Sequence, residues 1–335
     1  MNIVKTFIHW VEGTGAFAPW LFLALFIAAS FLLIWRLEAM SAGGFEGTVL
    51  GTLIMPYCSG IGNLIFAFVV GRRGVPGSEV MTNAIVNNVT NMTLLIGLPA
   101  IIWGLNVLPQ ASGKSKKPSN AKSNELNRLS LLLTLTAVLF FTGATWALGR
   151  DGKLDWGDGL VLVGLFAFWQ CFHIFDVLKS NVRQNKSLGW MFPLDLLILA
   201  VGAYGTYLST DWLVGCISKS HSGFISAKHL CWFSGWLMVV PNGLLAFYYG
   251  WRKRAEVVYT SQVGDGHICI PLCVGIYALY HTFTMPAIFQ TGIWILCGAS
   301  VLHIFFVTIW GRLPRFMGWV LVAAYGYFLY KGLFD

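Results

Sequence analysis

Asp265, Cys269 and a scatter of asparagines stand inside stretches of this chain that are otherwise almost pure hydrocarbon. Asn87 and Asn91 are four apart, so on a helix they share one face a turn apart, and Asp265 and Cys269 repeat that spacing. The segment Asn83 to Asn91 holds four asparagines in nine residues. Two further amides, Asn63 and Asn242, lie beside helix-weakening residues, in Met55-Pro56-Tyr57-Cys58-Ser59-Gly60-Ile61-Gly62-Asn63 and Val239-Val240-Pro241-Asn242-Gly243. Proline and glycine there free backbone carbonyls, which in a bilayer need a helix, water or an ion as partner. An ionised carboxylate near the centre of a membrane helix costs about 2.5 kcal/mol or more, so Asp265 should be paired, protonated or in a polar cavity. The blander alternatives are a packed kink for the Pro/Gly segments and amide contacts between helices, worth under about 2 kcal/mol each. An interfacial place for Asp265 is the corresponding alternative.

The elements that must position these groups follow from composition. The chain is 56% hydrophobic and 11% charged, with mean hydropathy +0.68, against roughly 25% charged in soluble domains. Ten apolar stretches, near 17–36, 46–71, 78–104, 128–149, 157–179, 190–216, 229–251, 257–282, 287–310 and 314–333, are each able to cross about 30 Å of hydrocarbon. The predicted fold is therefore an all-α integral membrane protein of ten transmembrane helices. Residues 1–14 read as an interfacial helix with Phe7, Ile8 and Trp10 in lipid, rather than as a cleavable signal. The segment from Pro109 to Asn127, rich in Ser, Lys and Asn, is the one expected long loop. Seven cysteines without a CxxC pair read as small core residues.

The loops after stretches 1, 3, 5, 7 and 9 carry 14 of the 22 Lys and Arg residues. That face is expected to be cytoplasmic, with both termini outside. The net charge of +8 therefore speaks to orientation and does not imply nucleic-acid binding. Short loops point to a prokaryotic inner membrane.

A single offset of 179 aligns Gly62-Asn63-Leu64 and Ala67–Gly71 with Pro241-Asn242-Gly243-Leu244 and Ala246–Gly250. Two halves, 15–185 and 186–335, each with five spans, would insert in opposite directions. An inverted repeat of this kind implies a transporter whose site lies near the midplane, where the halves meet.

The layout resembles the cation/calcium exchanger superfamily, whose members carry ten spans in two inverted halves, each with an α-repeat. In that repeat a broken helix ends its motif in Pro-Glu, and the next helix carries Gly-Ser-Asn-x-x-Asn or Asp. Here Gly62-Asn63 and Pro241-Asn242 fall on the two Pro-Glu positions. Val86–Asn91 and Gly264-Asp265-Gly266-His267-Ile268-Cys269 fall on the two Gly-Ser-Asn segments. Both motif glutamates are replaced by Asn, the last position of the second motif is Cys269, and a hydroxyl position is Asp265. The resemblance implies a secondary transporter with an ion site of Asn63, Asn87, Asn91, Asn242, Asp265 and Cys269, and with spans 1 and 6 sliding or rocking. Calcium prefers six to eight oxygens including carboxylates. An amide-rich set with one carboxylate better suits a monovalent cation, a proton cycle at Asp265, or a small organic solute.

The expected function is a sodium- or proton-coupled cation antiporter with a glutamate-poor site, acting in the lipid bilayer without a cofactor. The alternatives are a repurposed carrier of an organic solute, or a non-transporting sensor or assembly subunit on the same fold. His267 beside Cys269 could suggest a soft metal, but helical spacing puts it on another face, and no metal is assigned. Gln170, His173 and Asp176 read as an interfacial hydrogen-bonded group, Asp195 as interfacial, and His281 and His303 as structural. No nucleophile elbow, phosphate loop or zinc signature appears, so an enzyme is not expected.

Overall fold

The structure is a computed structural model and describes residues 2–42, 49–107, 118–181, 191–219 and 229–334. The described residues are almost wholly helical. A short amphipathic helix α1 (Asn2–Glu12) exposes Phe7 and Trp10 and buries Val11 in a cluster with Phe22 and Leu213. Ten long rods follow among the described residues. They are α2 (Ala18–Ala42), α3 (Val49–Arg72), α4 with α5 (Gly77–Val89, Leu95–Trp103), α6 (Pro118–Leu148), and α7 (Trp156–Asn181). The second set is α8 (Phe192–Ser218), α9 (Leu230–Trp251), α10 with α11 (Ala255–Ile268, Gly275–Tyr280), α12 (Phe289–Trp310), and α13 (Arg315–Leu333). Among the described residues seven stretches are long and apolar enough to cross a membrane. They lie in α2, α4–α5, α6, α8, α9, α10–α11 and α12, and shorter apolar stretches lie in α3 and α7. The rods carry apolar residues all round because one face packs on protein and the other meets lipid. Trp20, Trp35, Trp251, Trp310 and Trp319 are all more than half exposed, as lipid-facing or interfacial side chains would be.

The two halves pack by one set of rules. Helix α2 packs along α8 and α6 along α12. Helix α5 packs on α13 while its counterpart α11 packs on α7, and α4 packs on α9 while α10 packs on α3. Exchanging each helix for its counterpart leaves this set of contacts unchanged. Two tiny antiparallel ladders obey the same exchange: β1 (Leu105–Asn106) pairs with β4 (Arg312–Leu313), and β2 (Lys153–Leu154) pairs with β3 (Phe283–Thr284). The turns before β2 and β4 each need a left-handed glycine, Gly152 at φ 85° and Gly311 at φ 60°. Close helix approach is likewise paired. A Cβ on Gly318 would lie 2.7 Å from the Gly97 carbonyl, and one on Gly159 would lie 2.8 Å from the Gly275 carbonyl.

Two local expectations are corrected. The proline-containing spans are not broken: α3 runs through Pro56 and α9 through Pro241 as continuous helix. Close contacts hold their course, since a Cβ on Gly62 would meet Met238 Sδ at 2.7 Å and one on Gly235 would meet Val86 at 2.7 Å. The irregular turns lie in the next rods instead, as wide π turns at Thr90–Leu94 and Cys269–Val274. In the first, the Thr90 and Thr93 hydroxyls donate to the carbonyls of Val86 and Val89 and compete with the backbone ladder. In the second, Pro271 has no N–H to give. The expected loop at 109–127 is also shorter, because α6 starts at Pro118, a residue preorganised for the first helical position. Residues 108–117, and the division between halves at 185/186, lie outside the described residues.

The Gly97–Gly318 contact yields a prediction. Gly318→Val forces a side chain onto a backbone carbonyl that cannot yield, so thermal melts in detergent should show a loss of about 1–3 kcal/mol. Gly326→Val, on the same helix and with nothing within 4 Å of where its Cβ would lie, should leave the melting temperature nearly unchanged.

Candidate functional site

Asparagine is short, so an amide on one helix reaches a neighbour only where backbones come close. Glycines supply that closeness here. A Cβ on Gly60 of α3 would lie 2.6 Å from Ile268 on α10, which brings the helix carrying Asn63 against the helix carrying Cys269. Asn87 stands at the centre of the resulting network and is fully buried. Its Nδ2 donates to Asn63 Oδ1 at 3.4 Å, while its Oδ1 accepts from Asn91 Nδ2 at 3.0 Å. The same oxygen accepts the Cys269 thiol at 3.5 Å. Asn91 lies in the first π turn and Cys269 opens the second. The network therefore joins both irregular turns to α3.

Asn63 and Asn242 both line a small cavity of about 30 Å³ where α2 and α8 cross α3 and α9. Ser30 of α2 and Thr206 of α8 complete its polar lining, and Phe26, Leu33 and Met238 its apolar one. A single water needs about 10–15 Å³ of such space, so about two or three water-sized species fit. The carbonyl of Asn242 accepts from Gln262 Nε2 at 3.1 Å. Of the six residues expected from sequence, five are thus placed in one contiguous region. Asp265 lies on α10 between Gln262 and Cys269, three residues from the first and four from the second, and its side chain lies outside the described residues.

Several polar groups were not expected. Gln262 is buried, and its Oε1 has no hydrogen-bond partner among the described residues. It precedes Asp265 by one helical turn, a signal available in the sequence. Asn88 is also fully buried with both amide atoms unpartnered among the described residues. Asn83 donates to Ser234 Oγ at 2.9 Å and ties α4 to α9. In the first π turn the Thr90 hydroxyl lies 3.3 Å from that of Tyr325, which accepts from Trp236 Nε1 at 2.9 Å.

The histidines separate cleanly. His303 Nε2 donates to the Met92 carbonyl inside the first π turn at 2.9 Å. A carbonyl can only accept, so Nδ1 is left to accept the Tyr259 hydroxyl at 3.2 Å. That role is structural, as expected. His267 turns toward α6, with its nitrogens near the carbonyls of Gly264 and Thr134, and stacks on Trp169 at 5.5 Å. It therefore faces away from Asn87 and Cys269. Among the described residues no three His, Cys, Asp or Glu side chains cluster as a metal site would require. Asp195 pairs with Arg36, Gln170 is buried, and the side chains of His173 and Asp176 lie outside the described residues.

Residues 15–175 match the family model described as sodium/calcium exchanger protein. The match lies in the first half of the chain and is a likeness of that half to the sodium/calcium exchanger family. Solved structures of the sodium-calcium exchanger NCX_Mj share the chain's fold from end to end. One, soaked with 2.5 mM Na+ and 10 mM Sr2+, is 18% identical with TM-score 0.64, over 96% of this chain and 99% of that one. Another, soaked with 100 mM Na+ and 10 mM Sr2+, is 17% identical with TM-score 0.64, over all of both chains. No curated protein sequence matches. In this chain amides at 63, 87, 91 and 242 and a thiol at 269 lie in one contiguous buried region.

A prediction follows for the helix packing around the first π turn. His303→Phe strands the Met92 carbonyl and the Tyr259 hydroxyl, both buried, at about 1–3 kcal/mol for each unsatisfied group. A clear drop in melting temperature is expected, whereas His281→Phe, at an exposed position, should change stability by no more than about 0.5 kcal/mol.

Proposed function

We propose that this chain is a secondary active antiporter that moves a cation through an amide-rich site shared by its two halves. The observation that carries the reading is that Asn63 and Asn242, at matched places in the repeat, line one cavity and that Asn63 continues into the Asn87–Asn91–Cys269 network. The ten rods would be ten spans in two five-helix halves. An odd number of crossings per half sets the halves in opposite orientations, with both termini outside. Alternating access would come from movement of α2 and α8 across α3 and α9, on whose contact the cavity lies.

The chemistry of the lining narrows the cargo. Amide and hydroxyl oxygens solvate a cation without neutralising it, and Asp265 supplies the one carboxylate of the set. Transfer of a divalent ion into a low-dielectric site leaves it with at least one uncompensated charge, at a cost that rises steeply as the local dielectric falls. A monovalent cation, balanced by one carboxylate, does not carry that cost. Sodium or a proton is the coupling ion on this reading, with Asp265 as ligand or as the group that exchanges the proton. Gln262 Oε1, a buried acceptor without a partner among the described residues, is a further candidate ligand. The cavity size favours an ion over an organic solute, since about 30 Å³ holds no more than about two or three water-sized species.

Flux measurements in proteoliposomes test this. Under gradients of sodium, potassium, calcium, manganese or protons, wild-type protein should show cation-dependent exchange, and Asp265→Asn should reduce it to the level of empty liposomes with an unchanged elution profile. Undiminished exchange by the variant would remove Asp265 from the site. No exchange of any cation by folded wild-type protein would overturn antiport.

A further inference from the structure

The α2–α8 pair forms a unit of its own. Its helices pack along their length, with Gly202 of α8 close enough that a Cβ there would meet Leu33 at 2.8 Å. Near one end, Arg36 of α2 and Asp195 of α8 form a largely buried ion pair. This unit meets the rest of the protein chiefly where α8 lies on α3.

At the far end of that contact sits a second charged group that does not hold the pair together but ties it down. The Arg73 guanidinium, just past the end of α3, donates from Nε and Nη2 to Asp211 Oδ1 of α8 at 3.1 and 3.0 Å. Its Nη2 also donates to the Asp211 backbone carbonyl at 2.8 Å. Arg72 adds a bond to the Tyr207 hydroxyl at 3.1 Å and approaches Asp211 Oδ1 at 3.7 Å. Gly215 makes room for this arrangement, because a Cβ there would lie 2.8 Å from Arg73 Nη1. Two arginines, one carboxylate, one carbonyl, one phenol and one glycine thus converge across the α3–α8 boundary.

The repeat offset of 179 carries Arg73 onto Arg252, just past the end of α9 at the opposite face on the two-half reading. Arg252 makes no ion pair among the described residues, and its guanidinium lies over the Tyr248 and Trp251 rings of its own helix, at 5.6 and 5.5 Å. Among the described residues Arg73 and Arg252 are therefore engaged differently although the helix packing repeats.

We infer that Arg73 and Asp211, supported by Arg72, form a latch that fixes the α2–α8 unit against α3 and must open for that unit to move. The inference rests on the proposal that α2 and α8 move during alternating access. Hydrogen bonds at 2.8–3.1 Å with fixed fork geometry do not survive a slide of several ångströms. The latch therefore weights the equilibrium toward the arrangement seen here. Both partners are about one-quarter to one-third exposed, so solvent limits its strength and leaves it able to open.

Distance measurement between spin labels tests the latch independently of any flux. Labels would be placed on the native Cys216 of α8 and on Tyr280→Cys, an exposed position at the end of α11, with the other cysteines replaced except the buried Cys269, in the full chain in nanodiscs. Asp211→Asn should raise the population at a second distance about three- to tenfold, the effect expected of losing one well-formed, partly exposed charge pair. The exchanged pair Arg73→Asp with Asp211→Arg should return the distribution toward the native one, and Arg252→Gln should leave it unchanged. Identical distributions for the native chain and Asp211→Asn, in protein of unchanged melting temperature, would overturn the latch. So would failure of the exchanged pair to restore the native distribution. Loss of transport with a responsive latch would instead count against the functional proposal alone.

Discussion

In hydrocarbon a polar group has no water to fall back on, so each one placed inside a membrane helix must find its partner within the protein. Asn87 shows the consequence. It is fully buried, its amide nitrogen serves Asn63, and its oxygen serves Asn91 and Cys269. A neutral hydrogen bond nets only about 1 kcal/mol, but an orphaned buried group costs about 1–3 kcal/mol, so the network holds chiefly through what its loss would strand. One side chain thereby sets the spacing of α3, α4 and both π turns. The glycines that let these backbones approach are the other half of the same constraint.

The π turns obey that constraint at the level of the backbone. A wide turn leaves carbonyls without their usual partners, and those of the first turn are met from outside the helix. His303 reaches the Met92 carbonyl from α12, while Tyr325 of α13 and Trp236 of α9 surround Thr90. The first irregular stretch is therefore braced by helices remote in sequence. A helix that departs from regularity in the middle of a membrane is tolerated where it is packed in protein or lines a cavity. Here it is both packed and next to the amide network.

The fold is that of the solved sodium-calcium exchanger structures, and the side chains placed on it give this chain its character. On the resemblance to the exchanger motif, Asn63 and Asn242 fall where that motif has Pro-Glu, and they are uncharged amides one methylene shorter than a glutamate. Such a difference would remove a full charge in a site of low dielectric and shorten the reach of the oxygen by one methylene. Among the described residues the recurrence extends to helix packing and turns but not to every charged contact, since Arg73 is ion-paired and Arg252 lies over aromatic rings.

Much of this was legible in the residues taken alone. Apolar stretches of about twenty residues locate the helices because membrane thickness leaves them no choice. The offset that pairs Asn63 with Asn242 locates two sides of one cavity, because recurring backbone geometry needs recurring Gly, Pro and Asn. The i, i+4 spacing of Asn87 and Asn91 anticipates their hydrogen bond. What only the tertiary structure decided are the facts that depend on which helices touch. Pro56 and Pro241 read as breaks, yet their helices run on because neighbours clamp them, and the irregular turns fall one rod later. Pro118 opens a helix where composition predicted a loop. Gln262 joins the site through the Asn242 carbonyl, twenty residues back, and Arg73 meets Asp211 from another half of the chain. Periodicity and propensity report on single segments, whereas hydrogen bonds between helices are set by packing across them, and no local pattern encodes that.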